Sequence, residues 1–337
     1  MLPTLLQIIK CLEAEQTGAL QWVNQQFETI EDGHFSAIAI NDKEFSLMPY
    51  PEFSAMIYRG QSQYYNPCLP SFYRDRPTKI ERFILEARLA EFMLLLKDHP
   101  AVKDCFTWSI MGHRLRVDYE ALAQHYHLMT RLLDFSSNGL VAAFFACTEF
   151  DSISRKYIPI VNHRNRPGVI YSLNAAGDMV LPSNNNQTGT VGLQPLPRPA
   201  EQYAWGFRLS GKASLNSQPL IRIYQFRHSP EDSIKVFDSF DGGEKLFPYD
   251  PVLGKAQQIG STKNISIEAF ELALQKQRNG LKKKSLLNDL RRKKIEIVNE
   301  REVIISPQEY ADIDEDWKKR RNYLFSRIHW RRVAYPL

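Results

Sequence analysis

Cysteine is scarce and scattered in this chain. Cys11, Cys68, Cys105 and Cys147 are the four among 337 residues, and no two form a CxxC pair. That argues against a disulfide scaffold and a zinc framework. It leaves the thiols as small buried hydrophobes and makes the reducing cytoplasm the simplest compartment. Long apolar runs are missing too. The longest, Leu140 to Ala146, falls far short of the roughly 20 residues that cross a bilayer, so no membrane span is expected. The first ten residues lack a basic stretch ahead of their apolar patch and a small-residue cleavage site, so they read as an amphipathic helix of the mature protein and not a secretory signal. Glycine-rich phosphate loops, HExxH and metal-spaced His/Cys clusters are absent, and no metal is expected. There is no internal repeat. His163, His228 and His329 stand alone and are expected on the surface.

What is present is an ordinary soluble composition. Hydrophobic residues make up 43% and charged residues 24%, enough in 337 residues for one large domain or two. The net charge of +5 is unevenly spread. Residues 278–337 hold 16 Lys+Arg against 9 Asp+Glu, or +7, which leaves 27 against 29, or −2, for the rest. The basic clusters Lys282–Lys284, Arg291–Lys294, Lys318–Arg321 and Arg331–Arg332 invite a nucleic-acid reading, with Trp317, Tyr323, Phe325 and Trp330 as stacking groups. Asp312, Asp314, Glu315 and Asp316 interrupt any phosphate stripe. A solvated helix face with its aromatics docked on a core is the competing reading.

Apolar spacing predicts helices over residues 3–30, 78–97, 119–126, 140–150, 267–277, 285–292 and 307–325. Thr78 with Glu81 three residues on is a capping-box pattern, and His99-Pro100 stops the helix that follows it. Residues 55–58, 168–173, 219–226 and 233–237 read as strands, and 178–199, rich in Asn, Pro and Gly, as a surface loop. Helices and strands mix without regular alternation, so the class is α+β. The expected partition is a helical lead-in over 1–50, a domain over 51–260, and a basic, mostly helical segment over 261–337.

Four blocks carry more than fold. Tyr58-Arg59-Gly60-Gln61 is followed by Pro70-Ser71-Phe72-Tyr73-Arg74. Gln124-His125 runs through Thr130-Arg131-Leu132-Leu133-Asp134 and Ser136-Ser137 to Ala142-x-x-Phe145-Ala146. Arg198-Pro199-Ala200-Glu201-Gln202-Tyr203-Ala204-Trp205-Gly206-Phe207 and Leu246-Phe247-Pro248-Tyr249-Asp250 close the set. In this order the blocks resemble the FRG domain, named for its Phe/Tyr-Arg-Gly motif. The chain departs from that family at His127 and Met129, where Gly and Pro are usual. The motifs are also similar to those of ADP-ribosyltransferase folds, in which an Arg ends a strand, a Ser-rich strand leads into a helix, and a Glu/Gln motif follows.

The resemblance implies an ADP-ribosyltransferase-like core and NAD as co-substrate. It also implies a macromolecular acceptor and a toxin or antiphage setting. On it, Arg59, Gly60 and Gln61, with Thr130, Arg131, Ser136 and Ser137, would hold the cofactor. Glu201, Gln202 and His125 would serve catalysis. Each has a plainer alternative. A guanidinium fork fits pyrophosphate oxygens, but Arg59 can equally pair with a carboxylate such as Asp134. Gly60 allows close approach to a ligand or simply a turn. Ser136 and Ser137 can contact a ribose, or cap the next helix in competition with Asn138. His125 can act as acid or base, or rest against Asp134. Arg131 and Asp134 are expected to form an internal ion pair. A carboxylate at Glu201 would stabilise an oxocarbenium-like state, whereas Gln202 can orient but not take a proton. If the pair lies on a strand, only one of them faces the site. The rival to the enzyme is a non-catalytic module that binds a nucleotide, nucleic acid or a partner.

Overall fold

The computed structural model describes residues 2–26, 31, 33–51, 56–162, 166–175, 188–209, 211, 213–276 and 283–329. Ala55, Phe27, His163, Lys282, Trp330, Arg331, Arg332 and the loop up to residue 187 lie outside them, as do the side chains of Trp22 and Val23. The fold is α+β, and the described residues form two compact units. One comprises Met1–Leu69, Leu133–Tyr249 and Ser326–Leu337; the other comprises Pro70–Leu132 and Asp250–Phe325. Among the described residues, no helix is long and apolar enough to cross a membrane.

The first unit is organised by a six-stranded sheet. Its order is Thr188–Thr190, Ala204–Arg208, Leu132–Ser136, Met56–Gln61, Gly168–Asn174, Arg222–Phe226. The motif strand, Met56–Gln61, lies near its middle. It pairs antiparallel with Gly168–Asn174 in the register Tyr58↔Ser172, Arg59↔Tyr171, and meets Leu132–Ser136 at Tyr58↔Ser136. Alternation sends Met56, Tyr58 and Gly60 to one face and Ile57, Arg59 and Gln61 to the other. The central helix, Gly139–Cys147, packs on the first face. It is apolar nearly all round, with Val141, Ala142, Ala143, Phe144, Ala146 and Cys147 buried, so it has to be covered on every side. The N-terminal helix Leu5–Gln26 covers it with Leu5, Ile8, Ile9 and Leu12, and the helix Pro230–Ser239 covers it with Val236.

Gly60 allows this packing. A Cβ there would lie 1.7 Å from the Ala142 carbonyl oxygen and 2.8 Å from the Ala146 nitrogen. The glycine of the Tyr-Arg-Gly motif is therefore spent on bringing strand and helix backbones together, not on a turn. A smaller antiparallel pair, Phe35–Ala39 with Glu44–Pro49, takes the short parallel strand Ile328–His329 at its edge.

The second unit is helical in its core. Lys79–Lys97 begins with the expected capping box: the Glu81 N–H donates to Thr78 Oγ1 at 3.3 Å, and Thr78 N–H to Glu81 Oε2 at 2.9 Å. Phe83, Ala87, Ala90 and Leu94 repeat at helical period and meet Phe270 and Ala273 of Ile267–Lys276 and Leu286 and Leu290 of Lys283–Arg292. Each such large side chain taken fully from water stabilises by about 1.5–3 kcal/mol.

Several local expectations are corrected. Residues 233–237 are helical, within Pro230–Ser239. Ile234 and Val236 are two apart, which mimics a strand, but Ser229 caps the Asp232 N–H and Pro230 opens the first turn. The helix after Asn138 ends at Cys147, and Thr148–Asp151 is a strand. The stretch taken as a surface loop contains the strand Thr188–Thr190 and then buries Val191, Leu193, Gln194 and Leu196. Among the cysteines, Cys11 is exposed, unlike the other three.

Two expectations follow. Gly60→Ala should cost more than about 3 kcal/mol, the upper end of overpacking, or prevent folding. Gly189→Ala, where a Cβ meets nothing within 4 Å, should barely move the urea midpoint. The second concerns pH. The Lys293 ammonium and the Thr78 cap hold the Glu81 carboxyl at about 2, against an ordinary 4.5. This depressed value contributes stability that is present above pH 4.5 and lost as pH falls toward 2. The Glu81→Gln variant should lose less stability than the wild type across that window, read as urea midpoint against pH.

Candidate functional site

Arg59 projects from the sheet face opposite Gly60, beside its cross-strand neighbour Tyr171. Its Nη1 donates to the backbone carbonyl of Asp134 at 2.9 Å, not to the carboxylate. Its buried Nε has no hydrogen-bond partner among the described residues. Asp134, Arg198 and Arg59 all act on one phenol. Burial first, and then Asp134, push Tyr157 up to about 12, while Arg198 and Arg59 oppose the shift. Tyr157 stacks on Phe247 at 4.8 Å, and the Arg198 guanidinium lies over the same Phe247 ring at 5.6 Å. Arg59, Asp134, Arg198 and Phe247, one residue from each of the four blocks, thus gather around Tyr157 in the first unit. Gln61 is turned inward and accepts from the Cys68 thiol at 3.5 Å.

The two serines do not cap the central helix. Asn138 does, accepting from the Leu140 and Val141 N–H groups at 2.9 and 3.4 Å. Ser136 Oγ accepts from the Asn138 N–H at 3.0 Å and so braces the cap. Ser137 donates its hydroxyl to the Tyr50 carbonyl at 2.9 Å and its N–H to the Tyr203 carbonyl at 3.1 Å. Glu201 and Gln202 are not on a strand. Glu201 ends the short helix Arg198–Glu201 and Gln202 is its C-cap, so strand alternation does not choose between them. The Glu201 carboxylate pairs with Arg327 at 2.7 Å, while Gln202 Nε2 donates to the Leu246 carbonyl at 2.9 Å. The second bond ties the Gln block to the Leu-Phe-Pro block.

A cavity of about 270 Å³ opens in this unit on the Tyr58 face. Tyr58, Ser137, Asn138 and Tyr203, from three of the blocks, line it together with Tyr50 and with Glu13 and Gln16 of the N-terminal helix. The Tyr58 hydroxyl donates to the Leu12 carbonyl at 3.2 Å and approaches Gln16 Oε1 at 3.5 Å. Burial and the neighbouring Glu15 raise its pKa, so it stays protonated. Gln16 Nε2 is buried without a hydrogen-bond partner among the described residues, and the Glu13 side chain is exposed. The walls are aromatic rings, aliphatic groups from Ile9, Leu12 and Leu140, and neutral amide and hydroxyl groups plus one carboxylate; no Lys or Arg is among them. Gln16 and Glu13 carry no motif signal. Only their place on the lipophilic-faced N-terminal helix, one turn apart, brings them here.

His125, Thr130 and Arg131 belong to the second unit. Thr130 is a knot. Its N–H donates to Ser71 Oγ at 3.1 Å, its carbonyl accepts from the Phe72 N–H at 3.1 Å, and its hydroxyl donates to Gln124 while accepting from the Leu132 N–H at 3.2 Å. The Pro-Ser block and the central block are therefore one piece of local structure. Arg131 forms an ion pair with buried Glu86 and a second with Glu120 at 3.4 Å, and its guanidinium lies over the Phe72 ring at 4.6 Å. His125 is buried at the end of the helix Tyr119–His125. His127, where the family usually has Gly, has a φ of 65°. The backbone keeps the left-handed turn that a glycine would serve, so the departure alters the residue and not the path.

The basic segment is largely neutralised where it is described. Lys318, Lys319 and Arg320 pair with Asp314, Glu315 and Asp316 four residues back, and Arg321 pairs with Asp104 at 3.2 Å. Trp317 is buried and stacks on Trp108 at 6.1 Å, and Phe325 packs on Trp108 at 4.5 Å. Tyr323 alone of the described aromatics in that set is exposed. The interrupting acids thus set the character of this face, as the docked-helix alternative holds. Among the described residues no group of three or more His, Cys, Asp or Glu is arranged to hold a metal ion.

The Arg131–Glu86 pair gives a clear test. Glu86 is 3% exposed in its side chain, so Arg131→Met strands a buried carboxylate and should cost about 3–5 kcal/mol. Adding Glu86→Gln should recover much of that loss, read by urea denaturation of the single and double variants.

Compared with known families, the FRG domain model matches residues 54–154. No curated protein and no solved structure matches the chain. The matched stretch includes the motif strand, the Thr130 knot and the capped central helix. The chain therefore contains an FRG domain.

Proposed function

We propose that this FRG-domain protein is a nucleotide-recognising module, with NAD as the ligand class, and that the 270 Å³ cavity takes the nucleoside end of it. One observation carries this reading. Two blocks of the matched family stretch, a later block at Tyr203, and a buried amide nitrogen on Gln16 with no hydrogen-bond partner among the described residues converge on a single cavity. The volume lies just below the usual range for drug-sized ligands, which suits a base or a nicotinamide with part of its ribose. Tyr58 and Tyr203 offer ring faces, Gln16 and Asn138 offer amides, and Glu13 favours a ring that carries positive charge. With no cation in the walls, the phosphates lie elsewhere. Arg59 and Arg198 form a separate positive locus in the same unit. The domain is taken to run over 51–260, because the blocks after residue 154 contribute to that cavity and that locus.

A second reading adds catalysis: ADP-ribosyl transfer to a macromolecule, or NAD hydrolysis, by an ADP-ribosyltransferase-like core acting as a toxin or antiphage effector. Glu13 favours it, since it places at the cavity a carboxylate that has no ion-pair partner among the described residues. An oxocarbenium-like centre needs such a group. On this reading Glu13 takes the role first sought in Glu201, which is held by Arg327.

Titration of the purified protein with NAD, nicotinamide riboside and ADP-ribose separates these readings. Binding of the first two, weakened roughly tenfold or more by Gln16→Ala and Tyr203→Ala, is expected. No binding of any of the three at millimolar concentration would overturn recognition. NAD loss in the presence of lysate, abolished by Glu13→Gln, would establish catalysis at the cavity. Loss abolished only by Glu201→Gln would move the reacting centre away from it.

A further inference from the structure

A second cavity, of about 380 Å³, lies wholly within the helical unit against the helix Lys79–Lys97. Phe72, Ile84, Leu85 and Ile295 make apolar wall, and Met129, 46% exposed, stands at its mouth. Arg88, one turn beyond Ile84, also lines it. The other cation of its walls, Lys293, is matched by Glu81 at 2.8 Å. Arg88 is not. Its Nη2 donates to the Thr262 carbonyl at 3.3 Å, and among the described residues no carboxylate lies within ion-pair distance. Burial lowers its pKa, so the surroundings disfavour the bare charge. The two acids of the cavity do not answer it. Glu81 is held by Lys293 and the Thr78 cap, and Asp75 is exposed.

We infer that this cavity binds a small ligand with an apolar body and one anionic group, an aryl or short alkyl carboxylate or phosphate, whose acid pairs with Arg88 while its body rests on Ile84, Leu85 and Phe72. A planar guanidinium accepts either acid in two parallel hydrogen bonds. The site is independent of the nucleotide reading, because it lies in the other unit and its walls carry no group of the first cavity.

The test uses the full chain and three probes, benzoate, phenyl phosphate and the neutral isostere benzamide, titrated by ligand-observed NMR. Benzoate or phenyl phosphate should bind roughly tenfold or more tighter than benzamide, the worth of one charge-assisted hydrogen bond. Which acid is preferred tells a carboxylate source from a phosphate source. Arg88→Met, which keeps an apolar stem, should erase the preference and leave benzamide binding intact. Met129→Ala, at the exposed mouth, should weaken all three. Equal binding of acids and amide by the wild type, no binding at millimolar concentration, or a preference that survives Arg88→Met would each overturn the proposal. The wild-type comparison decides even if Arg88→Met fails to fold.

Discussion

The close approach of the motif strand to the central helix is the contact on which the first unit depends. Gly60 removes the one atom that would hold the two backbones apart, and Ala142 and Ala146 present small side chains at the same place. The Tyr-Arg-Gly and Ala-x-x-Phe-Ala motifs are the two halves of this contact. Once it forms, Tyr58 is fixed against the N-terminal helix, and Asn138 and Ser137 are held at the start of the central helix. Arg59 is placed on the far face of the sheet. Packing alone accounts for the small residues at these motif positions before any ligand is invoked.

Much of this was legible in the sequence, and the reasons are local. The long helix Lys79–Lys97 and its capping box were readable because a cap, a hydrophobic period and a stop agree. The strand Gly168–Asn174 was readable because a short apolar run follows a turn. The class α+β followed from the mixture. The Ser229-Pro230 start was overlooked because two apolar residues at even spacing imitate a strand. The buried run Val191–Leu196 was hidden by the prolines and glycine around it. Gly192 sits there at a φ of 58°, and a Cβ would lie 1.8 Å from the Leu47 carbonyl oxygen, which no linear pattern reveals.

The site was legible as a set of blocks but not as a set of contacts. Arg131 draws acids from Glu86 and Glu120, on two helices that lie 45 and 11 residues before it in the chain. Glu201 and Gln202 are adjacent in a motif, yet one is tied to Arg327 and the other to the Leu246 carbonyl. Glu13 and Gln16 belong to no motif. They reach the cavity because the apolar stripe of the N-terminal helix docks on the central helix and brings its flank along. Sequence spacing reports which residues share an element. It says little about which distant element supplies a charge.

The chain passes between the two units four times, at 69/70, 132/133, 249/250 and 325/326. The stretch matched by the family, 54–154, takes in two pieces of the first unit's chain, 54–69 and 133–154, and one of the second's, 70–132, and neither unit entire. A fragment cut to those limits lacks the sheet neighbours Gly168–Asn174, Ala204–Arg208 and Arg222–Phe226, and also lacks the helix Ile267–Lys276 that packs on Lys79–Lys97. Its sheet would open two raw edges and its long helix one bare apolar flank. The limits of the family match and the limits of the compact units thus fall in different places along the chain.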